Sequence, residues 1–237
     1  MMKIETLFSE PEGDGFVVTK ITEAVKDKNR VNVFLDETFF CSLDISQMAD
    51  LNLKVGVRLT DEEKEKLKRA SDFGKLYVRS LEYVLLRPRS TKEVKDYLRK
   101  KTFDRRVRIK NHKTGEYQTV LKKGFDESLI LPVMERLTAR GYIDDLRFAR
   151  TWVENRNAGK GISLRKLAIE LRQKGVESKM IEEVLNETTR NDAEEILKII
   201  RKKRRKYNDD QMRVYLVRQG FNYDDIQDAL SSESLEA

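Results

Sequence analysis

Apolar and polar side chains alternate near the start of the chain, in the pattern that half-buried β-strands produce. A β-branched and apolar run covers 16–21, and alternation continues over 31–35 and 39–43. Cys41 occupies an apolar position of the last run, which predicts a small buried side chain there. Three strands alone bury little surface, so we expect this region to pack on its neighbour in the chain.

Turn and capping signals bound this β-rich region. Asp36 and Glu37 separate two of the strands at the spacing of a two-residue hairpin. Glu is unfavourable at the second position of a type I′ turn, which needs positive φ, so a longer turn is allowed for here. Thr60 and Glu63 then have the spacing of a capping box at a helix start. The pattern predicts a β-rich domain over 1–60, followed by helices.

Helical spacing of apolar residues begins at residue 61, and one motif recurs 45 positions apart. Leu-Arg-Gln-Lys-Gly-Val at 171–176 matches Leu-Val-Arg-Gln-Gly-Phe at 216–221, and an isoleucine follows each motif after five residues. A third copy is recovered when an insertion is allowed, because it starts at 98–100 and resumes at 123–125. The repeat predicts three related helical units.

Helix ends are marked in each unit. A glycine follows the helical pattern in all three copies, and a glycine at that place is typical of a left-handed residue just past a helix. These residues are Gly124, Gly175 and Gly220. Helix starts have capping-box spacing at 90–93, 191–194 and 208–211.

The repeat length decides the predicted architecture. A unit of about 45 residues cannot bury enough apolar surface alone, so such repeats stack on each other. The predicted fold is mainly α, with three tandem three-helix repeats forming an elongated, curved body beside the small N-terminal β-rich domain. The repeats are expected over 61–143, 144–189 and 190–237, with an inserted β-hairpin over 101–122 in the first.

The insertion is basic and alternates in charge and hydropathy. Charged and apolar residues alternate over 106–110, a turn composition follows over 111–115, and alternation resumes at Tyr117. Seven Lys and Arg side chains lie within 104–123, against Asp104 and Glu116. A basic β-ribbon can lie along a phosphate backbone, whereas the other interpretation is an exposed solubilising hairpin. The hairpin candidates for DNA contact are Arg105, Arg106, Arg108, Lys110 and Lys113.

The composition shows that the excess positive charge is concentrated in one segment of the chain. The chain of 237 residues has 38% charged residues, only 3 Pro, and a net charge of +7. Residues 73–125 carry 16 basic and 5 acidic side chains, a net of +11, whereas 1–72 carry a net of −4. Such concentration attracts polyanions, although a solvated helical face is the ordinary alternative.

Most catalytic and cofactor classes are excluded by what the chain lacks. There is one His and one Cys, no phosphate-binding loop and no G-x-G-x-x-G motif, so no cofactor or metal is expected. No apolar run could span a membrane and no secretory signal is apparent. The single Cys cannot form an internal disulfide, which favours a reducing compartment. Acidic pairs at 144–145, 209–210 and 224–225 are interpreted as helix caps. Phe148 and Trp152 are interpreted as core residues.

The remaining candidates are basic side chains on helices and loops. The run at 201–206 is the densest, but cations at a helix end are also favourable for local reasons. The interface candidates along the repeats are Arg87, Arg89, Arg99, Arg147, Arg150, Arg156, Lys160, Arg165, Lys166, Arg172 and Lys174.

Several of these segments resemble the RecX family of recombinase regulators. The similar motifs occur in order at 86–90, 141–150, 159–161 and 170–176, and the resemblance covers about 73–231. It implies a non-enzymatic, cytoplasmic bacterial protein of three tandem three-helix units. It further implies binding to RecA in the helical groove of its DNA filament, with reduced ATPase, coprotease and strand-exchange activities. The 101–122 insertion departs from the usual family pattern.

Three functions are therefore weighed. The first is a monomeric modulator of the RecA filament, which meets single- or double-stranded DNA through the filament or the basic hairpin. The second is a stand-alone, sequence-nonspecific nucleic-acid-binding module, whose affinity falls steeply with salt. The third is an unrecognised enzyme, for which only the acidic pairs could serve.

Overall fold

The computed structural model describes residues 15–25, 27–111 and 115–236. The chain divides into two compact units. Unit 1 comprises Met1–Glu82 and Leu98–Arg136, and unit 2 comprises Tyr83–Tyr97 and Leu137–Ala237. The described residues are mainly helical, with a strand-rich N-terminal part, so the predicted fold class is confirmed in this respect. The division into four domains stays a prediction.

Unit 1 begins with an antiparallel sheet of four strands in the order β3-β2-β1-β4. Strand β4 and a short helix, α1, were not predicted. The core of the sheet includes Val18, Val33 and Leu43, all fully buried. Cys41 is buried among them, and burial raises the pKa of its thiol to about 11, as fits the predicted small apolar side chain. The elements are β1 (Phe16–Glu23), β2 (Arg30–Leu35), β3 (Thr38–Asp44), α1 (Ile45–Asp50) and β4 (Arg58–Leu59).

The turn between β2 and β3 has only two residues, so the allowance for a longer turn was wrong. Asp36 and Glu37 both take positive φ, at 46° and 64°. The neighbouring strand β1 supports this geometry, because Val17 N–H donates to Asp36 Oδ1 (3.0 Å) and Glu37 N–H donates to Thr19 Oγ1 (2.9 Å). Two hydrogen bonds from outside the turn thus offset a conformation that Glu adopts poorly on its own.

Three helices and the inserted hairpin follow the sheet. Thr60 and Glu63 form the predicted capping box at the start of α2, and Ser90 and Glu93 form another at the start of α3. The hairpin is present at the predicted place, with Arg105 opposite Lys122 at its base. The elements are α2 (Asp61–Leu85), α3 (Thr91–Thr102), β5 (Arg105–Lys110), β6 (Tyr117–Lys122) and α4 (Ile130–Ala139).

The described part of unit 2 contains six further helices that keep the 45-residue period. Helices α6 and α9 begin 45 residues apart, as do α7 and α10. Each set of three has its own apolar core, one around Leu171 and the other around Leu216. None of the described helices is long and apolar enough to cross a membrane. The elements are α5 (Asp145–Asn155), α6 (Leu164–Gln173), α7 (Ser178–Glu187), α8 (Asp192–Lys203), α9 (Asp209–Arg218) and α10 (Tyr223–Glu236).

Two of the three repeat glycines have the predicted left-handed conformation. Gly175 has φ +81° and Gly220 has φ +90°, and each follows a helix end. The prediction of a left-handed residue after a helix was wrong for Gly124. Gly124 is not among the residues with positive φ, and it follows strand β6 instead of a helix. A Cβ at Gly124 would overlap the carbonyl group of Thr102, so close approach of two backbone segments explains this glycine.

Successive repeats within unit 2 are joined by the same pair of hydrogen bonds. Ser90 Oγ donates to the carbonyl oxygen of Lys174, and Ser163 Oγ donates to that of Gln219, each at 2.7 Å. Both serines are fully buried and stand directly before a helix. The N–H that follows each serine donates to an aspartate at the start of the next repeat, Thr91 to Asp145 (2.7 Å) and Leu164 to Asp192 (2.8 Å).

Candidate nucleic-acid interface

Several predicted interface cations form ion pairs inside unit 2. Glu93 accepts hydrogen bonds from Arg87 Nη2 (3.0 Å) and from Lys174 Nζ (2.8 Å). Burial alone would raise the pKa of Glu93, but these two cations outweigh it and lower the pKa to about 2. Arg87 and Lys174 are thus positioned by a shared carboxylate.

Arg150 and Arg156 are also paired with carboxylates. Arg150 contacts both Glu183 (3.1 Å) and Glu187 (3.0 Å), and hydrogen bonding to Glu187 raises its pKa. Arg156 binds Glu170 through two nitrogens, and this interaction raises the pKa of Arg156. These two arginines fasten neighbouring helices within the second repeat, which is a structural use of the charge.

Three more candidates have internal partners. Arg147 donates to the carbonyl oxygen of Gly141 (2.9 Å), and Lys166 donates to the side chain of Gln219. The guanidinium of Arg89 lies 4.0 Å from the ring centroid of Tyr83. These three cations are therefore held by groups of the same chain.

The aromatic pair of the second repeat belongs to its core. Trp152 packs on the core beside buried Phe148, with ring centroids 5.7 Å apart. The interpretation of these two rings as core residues is confirmed.

Exposed cations remain on helix α6 and its preceding loop. Arg165, Ile169 and Arg172 are spaced so that they lie on one face of α6, and all three are exposed. Ile169 leaves 43% of its surface exposed between the two arginines. We call these three residues the α6 stripe. Lys160 is exposed in the loop before α6, and Arg99 is exposed near the end of α3.

The candidate cations of the hairpin are divided between its two faces. Arg106, Arg108 and Lys110 share one face because residues alternate along a strand. Arg108 stacks on Tyr117 of the opposite strand, with its guanidinium 4.4 Å from the ring centroid. Arg105 belongs to the other face, opposite Lys122. Lys113 lies outside the described residues.

A concentration of positive charge surrounds the foot of the hairpin. It combines Arg79 of α2, Lys101 of α3, and Arg105 and Lys122 of the hairpin, which we call the base cluster. The pKa of Lys122 is lowered, first by Arg79 and then by burial and Arg105. The pKa of Lys101 is lowered by burial and then by Arg105 and Arg79. Mutual repulsion of this kind marks a site where an anion would be favourable.

The base cluster lines a cleft that also contains two aromatic rings, Phe103 and Phe125. Lys100 and Lys123 complete its lining. The cleft adjoins an open groove of about 1030 Å³ along α2, whose lining includes four carboxylates among its basic residues.

Arg79 and Lys101 were not among the predicted site residues. Their only signal in the sequence is the net charge of 73–125, because the residues that surround them come from distant segments.

The acidic pairs behave as the sequence predicted, as helix-start residues. Asp144 accepts from the N–H of Arg147 at the start of α5 (2.9 Å), and the other pairs lie in the first turns of α9 and α10. Across the described part of the chain, no group of three or more His, Cys, Asp or Glu is arranged to hold a metal ion.

Two family models match the chain. Residues 16–60 match the N-terminal domain of regulatory protein RecX, and 144–185 match the second three-helix domain of RecX. Regulatory protein RecX of Bacillus licheniformis is 30% identical over 229 residues, covering 92% of this chain and 78% of that protein. Its counterpart from Bacillus subtilis is 28% identical over 227 residues, with the same coverage of both chains.

Two solved structures share the fold. A crystal structure of regulatory protein RecX has a TM-score of 0.65 at 21% identity, and the similarity covers 90% of this chain and 97% of that one. A crystal structure of RecX from Lactobacillus salivarius has a TM-score of 0.50 at 20% identity, covering 70% of this chain and 99% of that one.

Proposed function

Because the chain belongs to the RecX family, we propose that it is a non-enzymatic, monomeric, cytoplasmic regulator that binds RecA on DNA and inhibits its ATPase, coprotease and strand-exchange activities. The observation that carries this proposal is the extent of the relationship. It spans 92% of this chain, so it includes both the β-rich region and the helical repeats.

The α6 stripe is the surface we assign to the RecA filament. Many other interface candidates are held by carboxylates or carbonyl groups of this chain, whereas the stripe presents two arginines around an exposed isoleucine. Exposed Arg beside an apolar side chain is a frequent composition at protein interfaces. The corresponding positions of α9 are Asp210, Val214 and Val217, so the stripe is basic in the second repeat but not in the third.

An ATPase titration of RecA on single-stranded DNA tests this proposal. We expect the full chain to inhibit at near-stoichiometric ratios or below, and the double variant Arg165→Gln/Arg172→Gln to need at least about tenfold more protein. The matched control, Lys179→Gln/Arg205→Gln, removes the same charge from exposed positions elsewhere in unit 2. If the full chain does not inhibit the ATPase while RecA occupies the single-stranded DNA, the proposal is refuted. Equal losses in both variants would refute the assignment of the stripe.

A stand-alone nucleic-acid-binding role is the second candidate function. The base cluster favours it, because like charges gathered in one cleft attract a polyanion without a protein partner. Its measurable property is an affinity for DNA alone that falls with increasing salt.

A further inference from the structure

Six cations from three segments meet in the cleft at the foot of the hairpin. No carboxylate occurs among the residues that line this cleft in the described chain. The neighbouring Asp104 already accepts the backbone N–H of Gly124 at 2.8 Å. The lining cations are Arg79, Lys100, Lys101, Arg105, Lys122 and Lys123.

Gathering these charges opposes folding of the free protein. The lowered pKa values of Lys101 and Lys122 report that repulsion, since each has neighbouring cations among its causes. A phosphate bound over these side chains would reverse the effect, because a nearby anion favours their charged forms. The electrostatics therefore fit an anionic ligand at this place.

An exposed aromatic ring lies at the same cleft. Phe103 connects α3 to the hairpin and leaves 69% of its surface exposed. Phe125, by contrast, is half-buried and lies under the guanidinium of Arg79 at 5.4 Å. An exposed ring beside a row of cations is the arrangement with which proteins stack an unpaired base while holding its backbone.

From these observations we infer that the foot of the hairpin is a binding site for single-stranded nucleic acid, in which the base cluster holds phosphates and Phe103 stacks a base. A single strand fits better than a duplex because only unpaired bases offer a face to the ring. The adjoining groove interrupts the positive surface with four carboxylates, those of Glu62, Glu65, Asp72 and Asp126, so we expect the site to hold only a few phosphates. A flexible strand can bend away from these carboxylates.

This inference deepens the proposed function, since it names the DNA-binding site, yet it does not need RecA. A site that works on bare single strands can exist whether or not the chain inhibits the recombinase. The two proposals therefore have separate measurements.

The first experiment measures the affinity of the full chain for a fluorescent oligo-dT of 20 nucleotides at several salt concentrations. The variant Lys101→Gln/Arg105→Gln/Lys122→Gln should bind at least about tenfold more weakly. The slope of log affinity against log salt should fall by about 2, at roughly 0.7 for each phosphate that the variant no longer neutralises. The matched control, Lys20→Gln/Lys28→Gln/Lys54→Gln, removes three exposed charges from the sheet region of the same unit. Equal effects in both variants would overturn the site.

The second experiment tests stacking and ligand class. Phe103→Ala should weaken oligo-dT binding by about fivefold or more, Phe103→Tyr should restore it, and a duplex of the same length should be insensitive to Phe103→Ala. Loss of duplex binding in parallel with single-strand binding would overturn the stacking role. The assignment to nucleic acid would be overturned if polyglutamate or inorganic phosphate displaced the probe as effectively as unlabelled oligo-dT does at the same concentration of charge.

The outcomes separate the two proposals. Oligo-dT binding that depends on the base cluster, without any effect on RecA, supports the site and refutes the filament role. If the chain inhibits RecA but the base-cluster variant binds oligo-dT as tightly as the wild type, the site is refuted and the filament role is retained.

Discussion

At the scale of single residues, Glu93 connects a loop, a helix start and a neighbouring repeat. Its carboxylate holds Arg87 and Lys174 and accepts the N–H of Ser90, while its side chain is only 15% exposed. The pKa of about 2 in the folded chain is below the ordinary value of 4.5. A lowered pKa of a carboxylate adds stability above the unfolded pKa, and this stability is lost as pH falls.

The variant Glu93→Gln tests this linkage. We expect it to lower the free energy of unfolding at pH 7 by up to ~3 kcal/mol, and to flatten the loss of stability between about pH 4.5 and pH 2. Urea unfolding at a series of pH values measures both effects. The exposed Glu154→Gln is the matched control. An unchanged pH profile in Glu93→Gln would show that the carboxylate carries no linkage.

Gly175 is required both by its conformation and by its neighbour. Its φ of +81° is unfavourable for a side chain, and an added Cβ would lie 2.8 Å from Cβ of Lys92 in the preceding repeat. Gly175→Val should therefore destabilise the chain by more than ~1 kcal/mol and lower Tm by at least about 2 °C. Gly159→Val is the control, because a Cβ at Gly159 meets nothing within 4 Å. A Tm equal to that of the wild type would contradict this explanation.

At the scale of elements, local signals were sufficient for most helices and strands. Capping boxes, period-two alternation and each copy of the repeated motif are recognised within short segments. The boxes at 60–63, 90–93 and 208–211 and the repeated helices agree with the structure, whereas at 191–194 only Asn191 caps the helix. The errors arose where contacts from distant segments decided the outcome. Val17 and Thr19 support the tight turn at Asp36, and Thr102 explains Gly124. No pattern within a short segment contains that information.

The repeated serine junction is the element-scale feature with the clearest energetic test. Ser163 accepts the N–H of Lys166 as a helix cap and donates to Gln219 of the next repeat, and Ser90 makes the equivalent bonds. Alanine removes both bonds at a buried position, so we expect Ser90→Ala and Ser163→Ala each to cost about 1–3 kcal/mol in urea unfolding.

Ser178→Ala is the control for the junction, because this exposed serine begins α7 without capping it. A cost below about 0.5 kcal/mol for Ser163→Ala would rule out a stabilising junction, since a buried hydrogen-bonded hydroxyl ordinarily contributes more.

At the scale of the whole molecule, the sequence located positive charge but not its use. Residues 73–125 were identified as basic, and the base cluster lies within them. The sequence pattern could not separate Lys174, which pairs with Glu93 across 81 positions, from Arg172, which is exposed. Charge density along a chain does not state which cations find carboxylates in the fold, because those partners are set by tertiary packing.

The two proposed binding surfaces belong to different units. All four residues of the base cluster belong to unit 1, and the α6 stripe belongs to unit 2. If each surface binds its own ligand, their effects on RecA inhibition should be independent. Sites that share no partners usually give additive free energies within about 0.5 kcal/mol.

The base-cluster triple variant, the stripe double variant and their combination form a double-mutant cycle, read out as the half-inhibitory concentration in the RecA ATPase assay. We expect the two fold-changes to multiply to within about twofold. A combined variant no weaker than the weaker parent would mean that both surfaces serve one ligand, and the assignment of separate ligands would then be wrong.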